Sequence, residues 1–297
     1  MDINQDTLEA IFTGLSTAFN VEVANVETAY QQVAMTVPST TAMNAYPRLD
    51  ELPGIRRWDG DRVVHGVGAN STVIENEEFE LTIGIKRSRI RDDQIGLFTP
   101  IAASFGRKTA AFPDSLVFPL MNNGENNIGP DGQNFFDTDH PGWNEEGQEA
   151  SVSNYAPGAN PAWYLVDDSQ VFMPLIFQDR EKFTLTARDD PKDEGVWSRG
   201  QFEWGIDGRC AAGYGSWQLI YKSKEALTIE SYKAARAAMH SIRKRSGEVS
   251  DIKTKKLLVP NVLEEEGKKV VEAALIDGGN SNIWVNSASL SVIPQLG

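Results

Sequence analysis

Near the N-terminus, Leu8, Ile11, Phe12, Leu15 and Phe19 recur three or four residues apart, which places them on one face of a helix. This predicts an amphipathic helix over residues 6 to about 30, with a break by Pro38-Ser39-Thr40-Thr41. Such a helix packs either on its own domain or, as an arm, on a neighbouring subunit, and the spacing fits both. Beyond Leu52 the pattern changes. Pro53-Gly54 and Trp58-Asp59-Gly60 signal turns, residues 62–67 form a short apolar run, and Gly68-Ala69-Asn70 interrupts it. Phe79, Leu81, Ile83 and Ile85 then alternate with Glu80, Thr82, Gly84 and Lys86, the period of a strand with one buried face. Residues 52–91 therefore read as a two-stranded excursion. Two strands alone are marginal in water. No run beside them offers a partner strand, which makes a neighbouring subunit a candidate support.

Asp92-Asp93 reads as a helix start, through capping and the helix dipole, together worth about 1–2 kcal/mol. Ile95, Phe98, Ala102 and Phe105 follow on one face and predict a long helix to about residue 121. Pro100 removes a hydrogen bond if it lies inside that helix, and Pro113 suits the start of a second piece, so a bent or interrupted helix is expected. Residues 121–161, dense in Asn, Gly and Asp, read as loops. Apolar runs at 163–166, 171–177 and 217–221 read as strands, with Pro174 placing the second near an edge or a bulge. Tyr232, Ala235, Met239 and Ile242 form a stripe on a helix over 228–245, with Arg243-Lys244-Arg245 at its negative end. A strand at 256–259, a charged helix at 262–274 and terminal strands at 283–285 and 290–293 complete the pattern. The class is α+β, with no sustained βαβ rhythm.

Composition narrows the function classes. With 297 residues, 40% of them hydrophobic, the chain can bury a full core in one or two domains. No run approaches the ~20 apolar residues of a membrane span, and the first residues lack a basic segment followed by an apolar one, so no membrane and no signal-peptide export are expected. The lone Cys210 can form neither an intramolecular disulfide nor a cysteine metal cluster. A net charge of -14 opposes broad nucleic-acid binding, while an acidic wall around packed DNA is compatible with it.

Candidate chemistry is sparse. Asp137-Thr138-Asp139-His140 could ligate a divalent metal or relay a proton, although a turn or a subunit contact explains it more simply. His65 and His240 fall in the excursion and on a helix, away from it. There is no Gly-x-Ser-x-Gly elbow and no phosphate loop, and Gly213-Tyr214-Gly215-Ser216 lacks the lysine such a loop needs. Cys210 beside Arg209 has no neighbouring base and reads as structural. Arg243-Lys244-Arg245 reads as a solvated helix end. No catalytic residue, cofactor site or metal site is expected.

These pieces together resemble the Mu-like phage major head subunit family. The likeness rests on residues 46–49 and 52–62 (Leu-Pro-Gly-Ile-Arg-Arg-Trp-Asp-Gly-Asp-Arg), 76–80 and 90–96, then on 131–141 (Asp-Gly-Gln-Asn-Phe-Phe-Asp-Thr-Asp-His-Pro), Trp163-Tyr164-Leu165 and 213–218. It implies the Hong Kong 97 type of capsid fold. The corresponding parts are an N-terminal arm (1–50), an extended β-hairpin loop (51–91) and a peripheral domain with a spine helix (92–160). A mainly axial domain (161–275) and C-terminal strands returning to the core (276–297) follow. The function so implied is that of a tailed-phage major capsid protein, self-assembling as hexamers and pentamers into an icosahedral shell. The shell encloses double-stranded DNA without sequence-specific contact, with portal and scaffolding proteins as partners, and is assembled in the host cytoplasm. Arg57, Trp58, Arg62, Glu78, Phe79 and Glu80 are then the expected inter-subunit contacts. The alternatives are a nanocompartment shell protein of the same fold and a metal-dependent hydrolase built on Asp137, Asp139 and His140.

Overall fold

The computed structural model describes residues 5–46, 72–92, 98–190, 192–275 and 279–297. Helix α1 spans Gln5–Asn25. It is followed by strands β1 (Ala34–Pro38), β2 (Met43–Tyr46), β3 (Thr72–Glu75) and β4 (Glu77–Lys86), the short helix α2 (Arg87–Arg91) and the long helix α3 (Phe98–Asn123). Strands β5 (His140–Trp143), β6 (Glu149–Val152), β7 (Tyr155–Ala156) and β8 (Trp163–Val166) lead to two long strands, β9 (Leu175–Arg188) and β10 (Gln201–Tyr214), with helix α4 (Glu194–Arg199) between them. The last third holds β11 (Ile220–Ser223), α5 (Ile229–His240), β12 (Lys256–Val259), α6 (Glu264–Val271) and β13 (Ser289–Val292).

Two larger sheets organise the chain. One has the order β1-β9-β10-β4, the other β13-β12-β8-β11-β7, and β2-β3 and β5-β6 form two-stranded sheets. The alternation read in β4 is realised. Phe79, Leu81, Ile83 and Ile85 face the helices, while Glu78, Glu80 and Thr82 lie on the opposite, polar face. The partner strand missing from the nearby sequence is β10, paired antiparallel from Gln201↔Lys86 to Cys210↔Glu77. The second half of the expected excursion therefore belongs to a body sheet of its own subunit. The run at 62–67 lies outside the described residues.

Helix α1 packs within its own chain. Leu8, Ile11 and Leu15 join Phe98 and Ala102 of α3 and Phe202 and Trp204 of β10 in one buried cluster, while Phe19 meets Phe105 and Ile206. Each such burial stabilises by about 1.5–3 kcal/mol. The helices approach closely: a Cβ on Gly106 would lie 2.2 Å from the Phe19 carbonyl oxygen. Arg107 pairs with Glu22 at 3.2 Å beside that contact. The other end of α3 serves the second sheet, because Val117, Phe118 and Met121 share a core with Trp163, Tyr164, Leu165, Leu257 and Leu258. One helix thus spans both sheets.

Several expectations are corrected. Asp92 does not start α3; it is the C-cap residue of α2, its N–H donating back to Ile90 and Ser88, and α3 begins at Phe98. Asp93 lies outside the described residues. Pro100 is the third residue of α3, where the backbone N–H has no helical partner to lose. Pro113 and Pro119 lie inside α3 without interrupting it. Its flanks are secured locally, with Thr109 Oγ1 donating to the Phe105 carbonyl and Asn123 Nδ2 to that of Pro119. Helix α5 ends at His240, short of the basic triplet, and starts on a capping box of Thr228 and Ser231. Residues 283–285 form a turn rather than a strand, and β10 was absent from the sequence expectation altogether. Residues 161–275 contribute to both larger sheets, β9 and β10 to the one under α1 and α3 and β8, β11 and β12 to the other.

Candidate functional site

Of the expected contact residues, Glu78, Phe79 and Glu80 lie on β4. Arg57, Trp58 and Arg62 lie outside the described residues. Phe79 turns inward and meets Phe112 of α3 edge-on, ring centroids 4.7 Å apart, and Phe112 in turn meets Phe183. Part of its apolar surface is covered by its own subunit. Glu78 remains exposed and lies 3.5 Å from the Arg209 guanidinium, while Glu80 accepts a hydrogen bond from Thr82 at 2.8 Å. Both project from the charged face of the four-stranded sheet.

Residues 47–71 leave and re-enter the described chain at the adjacent ends of β2 and β3, where Tyr46 pairs with Thr72. This strand pair has two unlike faces. Ile74 is buried on Ile176 and Ala211 beside Tyr46, whereas Met43 and Val73 point outward with 53% and 56% of their surface exposed. Buried amides secure the inner face. Tyr46 donates to Gln178 Oε1 at 2.7 Å, Gln178 Nε2 donates to Asn76 Oδ1 at 3.0 Å, and Asn76 Nδ2 donates to Ser39 Oγ and the Thr41 carbonyl, each at 3.0 Å. The sequence carried no signal for this network, since Gln178 is more than 100 residues from Asn76.

The Asp137–His140 motif is a structural knot. His140 is fully buried and stacks on Trp217, ring centroids 4.0 Å apart and planes 7° from parallel. Its Nδ1 lies 2.7 Å from Asp131 Oδ2 and its Nε2 3.1 Å from Asn154 Oδ1. The Asn154 amide is oriented by donating to the Phe135 and Trp217 carbonyls. Both ring nitrogens are taken up by oxygens, which leaves neither for a metal. The Asp137 backbone N–H donates to the same Asn154 Oδ1 at 2.9 Å, whereas the carboxylates of Asp137 and Asp139 stay outside the knot. The hydrogen bond and charge of Asp137 hold the Asp139 carboxyl above its usual range. Among the described residues no group of His, Cys, Asp and Glu is arranged to hold a metal ion. Burial, with the charges of Asp179 and Glu77, pushes the Cys210 thiol up to about 12, the opposite of a reactive cysteine.

A buried lysine closes α3. Lys222 of β11 donates through Nζ to the Met121 and Asn122 carbonyls at 3.2 and 2.9 Å and pairs with Glu125. A cation at this end complements the helix dipole. Burial lowers the Lys222 pKa and outweighs the pull of Glu125. For Glu125 burial acts upward, but the hydrogen bond from Lys222 and the charges of Lys222 and Lys224 bring it below its ordinary value of 4.5. That contribution to stability is complete above pH 4.5 and is lost as pH falls through the lower folded value. We expect the melting-temperature gap between the native chain and Glu125→Gln to narrow as pH falls below about 4.5. A gap constant from pH 6 down to pH 3 would refute this.

Among the described residues no helix is long and apolar enough to cross a membrane. Residues 8–296 match the family described as Mu-like prophage major head subunit gpT. The chain is 34% identical over 281 residues to the Mu-like prophage FluMu major head subunit of Haemophilus influenzae, covering 92% of this chain and 91% of that protein. It is 32% identical to the major capsid protein of Escherichia phage Mu, covering 95% of each. Among solved structures it is similar to the procapsid of bacteriophage JBD30, with a TM-score of 0.84, 36% identity and coverage of 98% of this chain and 99% of that one. For the JBD30 capsid the TM-score is 0.79, the identity 28% and the coverage 92% of each chain.

Proposed function

This chain belongs to the Mu-like major head subunit family and is a major capsid protein of a tailed phage, with the Hong Kong 97 type of fold, and we propose how its copies hold one another. Residues 47–71 reach across a neighbouring subunit, and each copy gives and receives one such contact. The observation that carries this reading is the base of the excursion: a two-stranded sheet with Met43 and Val73 outward and no further strand beside it among the described residues. The inner face is held by Ile74 and the Gln178–Asn76 bonds, so the surface left for a partner is the outer one, with Met43 and Val73. Arg57, Trp58 and Arg62 act from within the excursion, and Glu78 and Glu80 from the charged face of β4. Phe79 acts inside its own subunit, where it packs edge-on against Phe112. The exposed charge pairs set register and are worth about 0–1 kcal/mol each. Shell stability then comes from repetition.

The remaining parts follow from the same reading. The five-stranded sheet with α5 and α6 forms the axial domain, and the four-stranded sheet with α1 and α3 forms the peripheral one. Subunits gather as hexamers and pentamers, assemble in the host cytoplasm with portal and scaffolding proteins, and enclose DNA without reading its sequence. The charge of -14 supports a wall that does not trap the polymer. The chain has no turnover of its own, a reading supported by the occupied ring of His140. Negative-stain imaging of particles from cells producing the chain with its phage's other head proteins tests the proposal. Closed shells of uniform diameter are expected, and only small oligomers under those conditions would overturn it.

A further inference from the structure

The β2–β3 base and the four-stranded sheet share no backbone ladder in the described residues. Besides the chain itself, which runs from β1 into β2 through residues 39–42 and from β3 into β4 through Asn76, two kinds of side-chain contact join them. One is apolar: Ile74 sits on Ile176 and Ala211, over a hollow at Gly213 where an added Cβ would lie 2.5 Å from Ile74 Cδ1. Such a contact is strong but non-directional, and the base could rock about it. The other is the chain of hydrogen bonds from Tyr46 through Gln178 and Asn76 to Ser39 and Thr41, and those bonds are directional.

The amide inventory is complete. Gln178, fully buried, accepts from Tyr46 and donates to Asn76 Oδ1 and, at 3.2 Å, to the Ile74 carbonyl. Asn76, 7% exposed, accepts from Gln178 and donates through Nδ2 to Ser39, Thr41 and Ala42, while its backbone N–H also donates to Ala42. Gln178 lies on β9, between Val37 of β1 and Ala211 of β10, and so is fixed by a strand paired on both sides. An apolar pair of the same shape would hold the base about as firmly without the cost of burying amides. What the amides add is direction.

We propose that Asn76 and Gln178 are positioning residues that set the angle at which the chain departs at Tyr46 and returns at Thr72, and thereby the geometry of contact between copies. This rests on the reading that residues 47–71 engage a second copy of the chain. The test compares Gln178→Leu and Tyr46→Phe with Val259→Ala, a core truncation in the five-stranded sheet. Each is made with the phage's other head proteins and scored by subunit melting temperature and by the yield and diameter of imaged shells. Gln178→Leu should leave a folded subunit, yet lower the yield of correctly sized closed shells at least tenfold, with open or irregular particles in their place. Tyr46→Phe, which removes the bond to Gln178 and the 3.4 Å bond from Asn44, should fall between it and the native chain. The proposal is overturned if Gln178→Leu forms shells of normal yield and diameter. It is equally overturned if Val259→Ala, at a matched loss of melting temperature, loses shells to the same degree, since the amides would then act through stability alone. Failure of the native chain to form shells would instead sink the reading on which both rest.

Discussion

Replacing residues 47–71 with Asn-Gly is expected to leave a folded, soluble subunit that forms no closed shells. The strands on either side are already in register, Tyr46 opposite Thr72, and a two-residue Asn-Gly turn closes such a pair without splaying it. The described residues of the buried clusters are all retained, and the Asn76–Gln178 network is kept. The melting temperature should stay within a few degrees of the native value, while closed particles fall to background. Light scattering and negative-stain imaging provide the measurement. Shells of normal size and stability would show that residues 47–71 contribute nothing to assembly. A cut at residues 63–77, which the alternating pattern of the sequence invites, would be a poor test. It deletes β3 and Asn76 and removes Glu77, the partner of Cys210, so a failure to assemble would reflect a damaged subunit.

The second large effect is expected at His140. Truncation to Ala removes the ring between Asp131 and Asn154, takes from the buried Asp131 carboxylate its contact with Nδ1 while the Gln133 N–H still donates to it, and takes away the surface stacked on Trp217. Breaking a buried pair in this way costs about 3–5 kcal/mol, or at least about 5 °C in melting temperature. Asp139→Ala, one residue away and exposed, should change stability by no more than about 0.5 kcal/mol. A metal site would treat the two residues alike. Divalent-metal-dependent hydrolysis that disappears in Asp139→Ala, with assembly intact, would restore the catalytic reading of this motif. Equal melting temperatures for His140→Ala and the native chain would show that the knot is not structural.

What could be read from the sequence divides along one line, local periodicity against long-range partnership. Strands β8 and β12 are compact apolar runs and fall at 163–166 and 256–259 as the sequence predicts. The inner face of β4 follows from Phe79, Leu81, Ile83 and Ile85, and α1 from Leu8 to Phe19. Strand β10 was legible too, since Phe202, Trp204, Ile206 and Cys210 alternate with polar or small residues, but its glycines and charges conceal the pattern. Asp92-Asp93 resembles a helix start because acidic pairs favour such positions; the intervening α2 shifts Asp92 to a helix end. The site was harder. His140 draws its partners from Asp131 and Asn154 rather than from its neighbours Asp137 and Asp139, and Gln178 finds Asn76 only once the sheets are assembled. Hydrogen bonds between distant residues leave no period in the chain.

The order of the four-stranded sheet constrains the subunit's birth. Strand β1 pairs in parallel with β9, Ala34 beside Leu175, and β4 pairs with β10, Glu77 beside Cys210. At about 5–20 residues per second the ribosome needs on the order of 10 s to make the chain between Ala34 and Leu175. For that time β1 and β4 have emerged without the strands that complete them, and the apolar face of α1 awaits the cover that β10 supplies. A host making many copies at once holds many such unfinished edges together, each able to pair with another copy in the wrong register. The same topology that closes the finished subunit makes its synthesis a race between native pairing and aggregation, and gives chaperones a defined window in which to act.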